Sequence, residues 1–149
     1  MIESKNIRIV ATVIIVVGLL FTLAGAATWL TVRSALADEH ITVSQDATSL
    51  AGKAVIGPLT AYAQANVIKG HALTATGGKT YAELDREDPV RQTAMTASFL
   101  RASLFTSVVA FGVAAMSIGL GLVLLLIGFA LLKLSAGRVN NPMRAPASA

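Results

Sequence analysis

Two long runs without a charged residue limit the folds that this chain can adopt. The first covers 24 residues, 9–32, and the second covers 31 residues, 102–132, and arginine or lysine bounds each run on both sides. A helix needs about 20 mostly apolar residues to cross the hydrocarbon core of a bilayer. The sequence therefore predicts two transmembrane helices, at 9–32 and 102–132.

The second run is longer than one crossing requires. At about 1.5 Å per residue it would reach roughly 46 Å, against an apolar core of about 30 Å. Counting back from Lys133, we place its membrane part at about 108–132 and the preceding turns outside the bilayer.

The composition fits a membrane protein and excludes several kinds of site. The 149 residues are 54% hydrophobic and 13% charged, and this length indicates one domain at most. Without cysteine, the chain has no disulfide, no thiolate metal site and no cysteine nucleophile. The net charge of +4 does not gather into a basic stripe, so nucleic acid is not a predicted partner.

A cleaved signal peptide is the alternative interpretation of the first run. Ala35 and Ala37 form an A-x-A cleavage pattern after a basic start. However, the run exceeds the usual signal-peptide length of about 7–15 apolar residues, and Arg33 lies between the run and the pattern. We expect an uncleaved anchor, and the cleaved alternative stays open.

Charges near the two runs predict the orientation. Seven of the eight acids lie between the runs. The terminal segments, 1–8 and 133–149, carry the bases Lys5, Arg8, Lys133, Arg138 and Arg144. Because cytoplasmic segments beside membrane spans are rich in Lys and Arg, the sequence predicts a multi-pass protein of the cytoplasmic (inner) membrane. Both termini are then inside, with 133–149 as a disordered tail, and 33–101 is outside.

Small residues recur every seven positions in both runs. A seven-residue spacing keeps one narrow seam on one side of a helix, and small residues there let two backbones approach closely in lipid. The sequence predicts an antiparallel hairpin whose seams face each other, with docking of a partner's helix as the alternative. The seam positions are Ala11, Gly18 and Gly25 in the first run and Ser107, Ala114, Gly121, Gly128 and Ser135 in the second.

The segment between the runs contains helix start and stop signals. Pro58 opens a predicted helix that Gly77 ends. Thr80 and Glu83 form a T-x-x-E capping box that opens a short helix from Tyr81. The predicted fold is an all-α membrane protein, a transmembrane hairpin with a small helical extracytoplasmic cap at 33–101.

A third helix is predicted to begin at Asp88-Pro89. Asp88 is its N-cap and Pro89 its first residue. This helix runs without a break into the second transmembrane run. Upstream, the segment 40–57 lacks clear periodicity, and "HITV" at 40–43 indicates at most a short extended piece.

The stretch "TATGGKTYAELDRED" at 74–88 is the main candidate for chemistry. A phosphate-binding loop that ends in Gly78-Lys79-Thr80 would need glycine where Leu73 stands, which excludes that motif.

The four carboxylates of this stretch are weak candidates for a divalent-cation site. Their spacing differs from that of a calcium loop, and acids collect at the starts of helices because they favour the positive end of the helix dipole. Helix capping is therefore the preferred interpretation of Glu83, Asp85, Glu87 and Asp88.

The two histidines, His40 and His71, are 31 residues apart. Two histidines and a carboxylate can hold non-haem iron, but nothing in the sequence places these two together, so solvated histidines are expected. No Ser, His and Asp arrangement stands out for nucleophilic catalysis. The sequence predicts no cofactor.

Residues 57–116, with "ELDREDPVRQTAMTASFLRASLF" as the most distinctive stretch, resemble a family of small actinobacterial two-span membrane proteins. These are often labelled aromatic ring-opening dioxygenases. That label implies non-haem iron held by two histidines and a glutamate, a set that this chain does not assemble by spacing. The resemblance implies a two-span membrane protein, and we treat the enzymatic label as inherited in error.

Three functions follow in order of preference. The first is a non-enzymatic accessory or scaffold protein that engages another membrane protein, a second copy or an envelope component through its cap. The second is a sensor that binds a small molecule or cation through the acidic cluster and Tyr62 or Tyr81. An iron dioxygenase is a distant third.

Overall fold

The computed structural model describes the backbone of residues 2–139 and the side chains of residues 5–136. In chain order the elements are α1 (Ile2–Asp38), α2 (Pro58–Ala75), a three-residue 3₁₀ helix η1 (Tyr81–Glu83) and α3 (Arg91–Val139). Within this described part there is no β-strand, only an isolated bridge between Thr42 and Ala54. The prediction of an all-helical chain is confirmed.

Helices α1 and α3 are both long and apolar enough to cross a membrane. With 37 and 49 residues, they extend roughly 55 and 74 Å at about 1.5 Å per residue. Only 17% and 11% of their most apolar windows is buried within the protein, whereas the core helix of a soluble protein would be mostly buried. Two helices able to span a membrane are therefore a property of this chain.

Both long helices extend beyond the predicted spans. The prediction ended the second helix at residue 132, but α3 continues to Val139. Lysine at position 133 ends the apolar run without ending the helix, because lysine is a good helix former. The expectation of a disordered tail is corrected for residues 133–139, and residues 140–149 lie outside the described part.

The chain divides into two compact units. Among the described residues, the hairpin unit comprises 2–26 and 115–139, and the middle unit comprises 27–114. Helices α1 and α3 contribute residues to both units, whereas α2 and η1 belong to the middle unit alone.

In the hairpin unit, α1 and α3 approach each other through glycine. A Cβ atom placed on Gly121 would lie 2.6 Å from the carbonyl oxygen of Gly18, and one on Gly128 would lie 3.1 Å from that of Ala11. Moving seven residues up α1 therefore moves the contact seven residues down α3, which makes the pair antiparallel. Ser117 adds a hydrogen bond across the pair, donating to the carbonyl oxygen of Phe21 at 2.9 Å.

The core of the middle unit combines α2, the loop before it and segments of the long helices. The edge of one ring meets the face of the other where Trp29 contacts Phe111, with ring centroids 4.7 Å apart. Tyr62 of α2 contacts Phe105 of α3 in the same geometry at 5.9 Å. The buried members of this core are Leu36, Val43, Val55, Ala61, Ala63, Ala65, Leu104 and Phe111.

The loop 39–57 folds back on itself before α2 begins. Val43 donates its N–H to the carbonyl of Lys53 at 2.8 Å, and Val55 donates to Ile41 at 2.9 Å. These bonds hold Val43 and Val55, 1% and 0% exposed, in the core. The extended piece predicted at "HITV" is thus present as the bridge at Thr42.

Glycine ends α2 as predicted. The amide of Gly78 donates to Leu73 at 2.7 Å and that of Gly77 to Thr74 at 3.5 Å, the paired bonds of a Schellman motif. Both glycines have positive φ, 61° and 88°, a left-handed conformation that glycine accepts at little cost. The glycine pair in the candidate stretch 74–88 is therefore a helix stop.

Of the two helix starts predicted after this stop, the first forms a 3₁₀ turn and the second begins two residues later than predicted. Glu83 accepts hydrogen bonds from the backbone N–H and the hydroxyl of Thr80, each at 2.7 Å, and the turn that follows is 3₁₀ rather than α. Asp88 accepts from the N–H of Val90 at 3.0 Å. The regular helix then begins at Arg91 rather than Pro89, because an i→i+3 bond from Arg91 to the carbonyl of Asp88 tightens the first turn.

Candidate binding grooves of the middle unit

One face of α2 is left largely uncovered and borders a groove. The opposite wall is the loop 46–50, and the volume between them is about 770 Å³. We call this the α2–loop groove. It is lined by Asp46, Ala47, Thr48, Ser49 and Leu50 from the loop and by Leu59, Tyr62, Ala63, Asn66, Val67, Gly70, His71 and Thr74 from α2.

Two polar contacts fasten the loop 39–57 to α2. Gln64 Oε1 accepts a hydrogen bond from the backbone N–H of Ser44 at 2.9 Å. His71 Nε2 lies 2.5 Å from Asp46 Oδ2, and both side chains are 60% exposed. The hydrogen bond from His71 holds the pKa of Asp46 below its usual range, with the backbone N–H of Asp46 adding to the effect.

Replacing His71 by alanine is expected to raise the pKa of Asp46 toward that of an ordinary aspartate. A depressed folded-state pKa means that the pair stabilises the loop above the usual aspartate range and stops doing so as the pH falls through the lowered value. NMR titration of the ¹³C-labelled side-chain carboxyl carbons of aspartate and glutamate measures the change. An unchanged Asp46 titration in His71→Ala would contradict the assigned cause, and Glu83 serves as the internal reference because its pKa is lowered separately by Thr80.

A second groove lies between α2 and the first turns of α3. It encloses about 470 Å³ and is lined mainly by the apolar parts of Ile68, His71, Ala72, Ala75, Gln92, Thr93, Thr96, Ala97 and Leu100. Beside it, α3 exposes three large apolar side chains, Met95, Phe99 and Leu100, at 44%, 75% and 46%. We call these three the α3 apolar patch.

The structure does not bring the carboxylates of the acidic cluster, Glu83, Asp85, Glu87 and Asp88, together into one metal-binding group. Glu83 is engaged with Thr80 and Asp88 with Val90, while Asp85 and Glu87 are exposed. Throughout the part of the chain that the structure describes, no group of three or more His, Asp or Glu side chains is placed to hold a metal ion. Two of the four weak candidates thus act as helix caps.

Tyrosines 62 and 81 lie in different surroundings. Tyr62 lines the α2–loop groove. Tyr81 stacks under Arg91, whose guanidinium carbon is 4.2 Å from the ring centroid, and Arg91 also donates to the carbonyl of Leu84. The α2–loop groove does not combine Tyr62 with the acidic cluster, because Asp46 is the only acid that lines this groove.

The two histidines have separate partners. The Nδ1 of His40 lies 2.7 Å from the carbonyl oxygen of Asp38, whereas His71 pairs with Asp46. His71 is 60% exposed, as expected for a solvated histidine, and it also pairs with Asp46. Asp46 was missed altogether, because it stands in a stretch without periodicity and 25 residues from its partner.

Two pairs of seam residues lie side by side in the hairpin unit. Gly18 meets Gly121, and Ala11 meets Gly128. Gly25 and Ser135 are buried, as is Ala114 in the middle unit, while Ser107 is half-buried.

Comparison with known proteins adds nothing to these observations, since no protein-family model, curated protein or solved structure matches the chain.

Proposed function

We propose that this chain is a non-enzymatic integral protein of the cytoplasmic membrane that binds a partner protein through its middle unit. The observation that carries the proposal is the α3 apolar patch. Phe99 is three-quarters exposed, Met95 and Leu100 are nearly half exposed, and Leu100 lines the apolar groove between α2 and α3. Exposed apolar patches mark interaction sites, and aromatic side chains are enriched among the residues that dominate binding energy.

The orientation proposed for the chain has both termini in the cytoplasm and the segment 33–101 outside. Because the hairpin is antiparallel, the start of α1 and the end of α3 lie at the same end of the hairpin unit. Lys5, Arg8 and Lys133 stand in those two segments, in agreement with the enrichment of basic residues on the cytoplasmic side.

An uncleaved first helix is part of the same proposal. The A-x-A pattern falls in the last turn of α1, which ends at Asp38. Leu36, between its two alanines, is 7% exposed and belongs to the core of the middle unit. Cleavage there would remove a core residue from its helix, which favours retention of the anchor.

Site-specific photo-crosslinking in cells tests the partner proposal. With p-benzoylphenylalanine in place of Met95, ultraviolet light is expected to give a discrete protein adduct, and Phe99→Ala in the same background should reduce its yield several-fold. Leu126 in the hairpin unit is 70% exposed and provides the control position, where lipid is the expected neighbour. Equal protein adducts at 95 and 126, or an adduct indifferent to Phe99→Ala, would overturn the proposal. Two differently tagged copies distinguish a second copy from another protein.

A small-molecule sensor is the second candidate function. It is favoured by the α2–loop groove, whose volume of about 770 Å³ falls in the range of roughly 300–1,000 Å³ that is typical of ligand sites.

A further inference from the structure

We infer that the α2–loop groove binds a small organic cation, an ammonium group carried on an apolar body. The inference rests on the second function proposed above and names its ligand class. It uses the lining of the groove and does not depend on the α3 apolar patch.

The charge of the groove selects a cation. Asp46 is its one acidic lining residue, and no lysine or arginine of the described chain lines it. When His71 is neutral, its Nε2–H donates to Asp46 Oδ2 and the pair keeps one negative charge. An anion would find no opposite charge there. A divalent metal ion would find one carboxylate, whereas such ions require several oxygen ligands.

The walls of the groove select an apolar body. Leu50 of the loop faces the groove together with Leu59 and Val67 of α2. Tyr62, half exposed, presents an aromatic ring on the same side, and aromatic faces attract ammonium groups. Gly70 adds space beside His71, since a Cβ atom placed there would meet nothing within 4 Å.

The hydrogen bond between His71 and Asp46 fixes one side of the site. That bond orients the carboxylate on a loop that Gln64 also anchors through Ser44. The groove thus offers a positioned charge at one end and an apolar surface along its length. This is the arrangement of a small-molecule site, in which a few polar groups orient a mostly apolar ligand.

Calorimetry on the full chain in detergent tests the inference with two matched probes, 4-phenylbutylamine and its neutral analogue 4-phenylbutan-1-ol. The wild type is expected to bind the amine about fivefold more tightly than the alcohol, the size of effect that one partly exposed charge pair provides. Asp46→Asn should remove this preference. Asp85→Asn, which removes an exposed carboxylate that does not line the groove, should retain it. Binding to the micelle is common to all three proteins and cancels in the comparison.

Each outcome of this experiment decides something. A preference lost in Asp46→Asn and kept in Asp85→Asn supports the inference. Equal binding of amine and alcohol by the wild type would overturn the cation assignment and leave the sensor function standing. A preference that persists in Asp46→Asn would place the selecting charge elsewhere and overturn the inference. Absence of saturable binding of either probe would overturn both the inference and the sensor function, without bearing on partner binding at Phe99.

Discussion

Replacing Gly121 by alanine is expected to lower the free energy that holds the hairpin unit closed by about 1–3 kcal/mol, the usual cost of overpacking. A Cβ atom at this position would lie 2.6 Å from the carbonyl oxygen of Gly18 and 2.7 Å from the backbone nitrogen of Thr22. Because these are backbone atoms, no side-chain rotation relieves the contact and the two helices must separate.

Thiol labelling measures the effect. The chain has no cysteine, and Ser135 is fully buried in the hairpin unit, so a near-isosteric Ser135→Cys reporter reacts with maleimide only when the helices open. Labelling in detergent is expected to become about 5- to 140-fold faster in Gly121→Ala, since each 1.4 kcal/mol changes an equilibrium constant about tenfold.

Gly119→Ala is the matched control, two residues away on the same helix. A Cβ atom at Gly119 would meet nothing within 4 Å, so the substitution should leave labelling unchanged or slow it, because alanine favours a helix over glycine by roughly 0.5–1 kcal/mol. Opposite signs at 119 and 121 identify the contact with α1 as the cause. Equal effects at both positions would contradict it.

The sequence alone predicted the features that depend on neighbours along the chain. Pro58, the Gly77–Gly78 stop and the Thr80–Glu83 box are local signals, and the structure forms a helix start or stop at each. The seven-residue spacing of small residues predicted a seam on each long helix, because periodicity defines a helical face. It could not decide between a seam that meets its own partner helix and one that meets another protein. The contacts of Gly18 with Gly121 and of Ala11 with Gly128 show that the two seams meet each other in the hairpin unit.

The grooves were beyond the reach of the sequence because they depend on contacts between distant residues. The pair of Asp46 with His71 forms across 25 residues, through a loop that folds back by the bonds of Val43 and Val55. No periodicity in the sequence predicts that this loop folds back on itself. The exposure of Phe99 was equally hidden, since an apolar residue in the α3 helical pattern has the same spacing whether it faces the core or the solvent.

Leu104→Ala is expected to destabilise the middle unit by about 2–5 kcal/mol, the cost of truncating a buried leucine. Leu104 is 5% exposed and shares a core cluster with Leu36, Val43 and Val55. The chain's single tryptophan, Trp29, packs against the same cluster. Its fluorescence during titration with SDS in mixed micelles therefore reports the loss directly.

Phe99→Ala is the control that separates stability from function. Phe99 is also a large apolar side chain of α3, five residues before Leu104, but it is 75% exposed. Its truncation should change the unfolding free energy by no more than about 0.5 kcal/mol while removing the partner adduct at position 95. If Phe99→Ala keeps the Trp29 unfolding transition and loses the adduct, Phe99 is not needed for the stability of the core and contributes to partner binding. A loss of stability in Phe99→Ala as large as that in Leu104→Ala would instead make Phe99 a core residue and leave the partner proposal without its anchor.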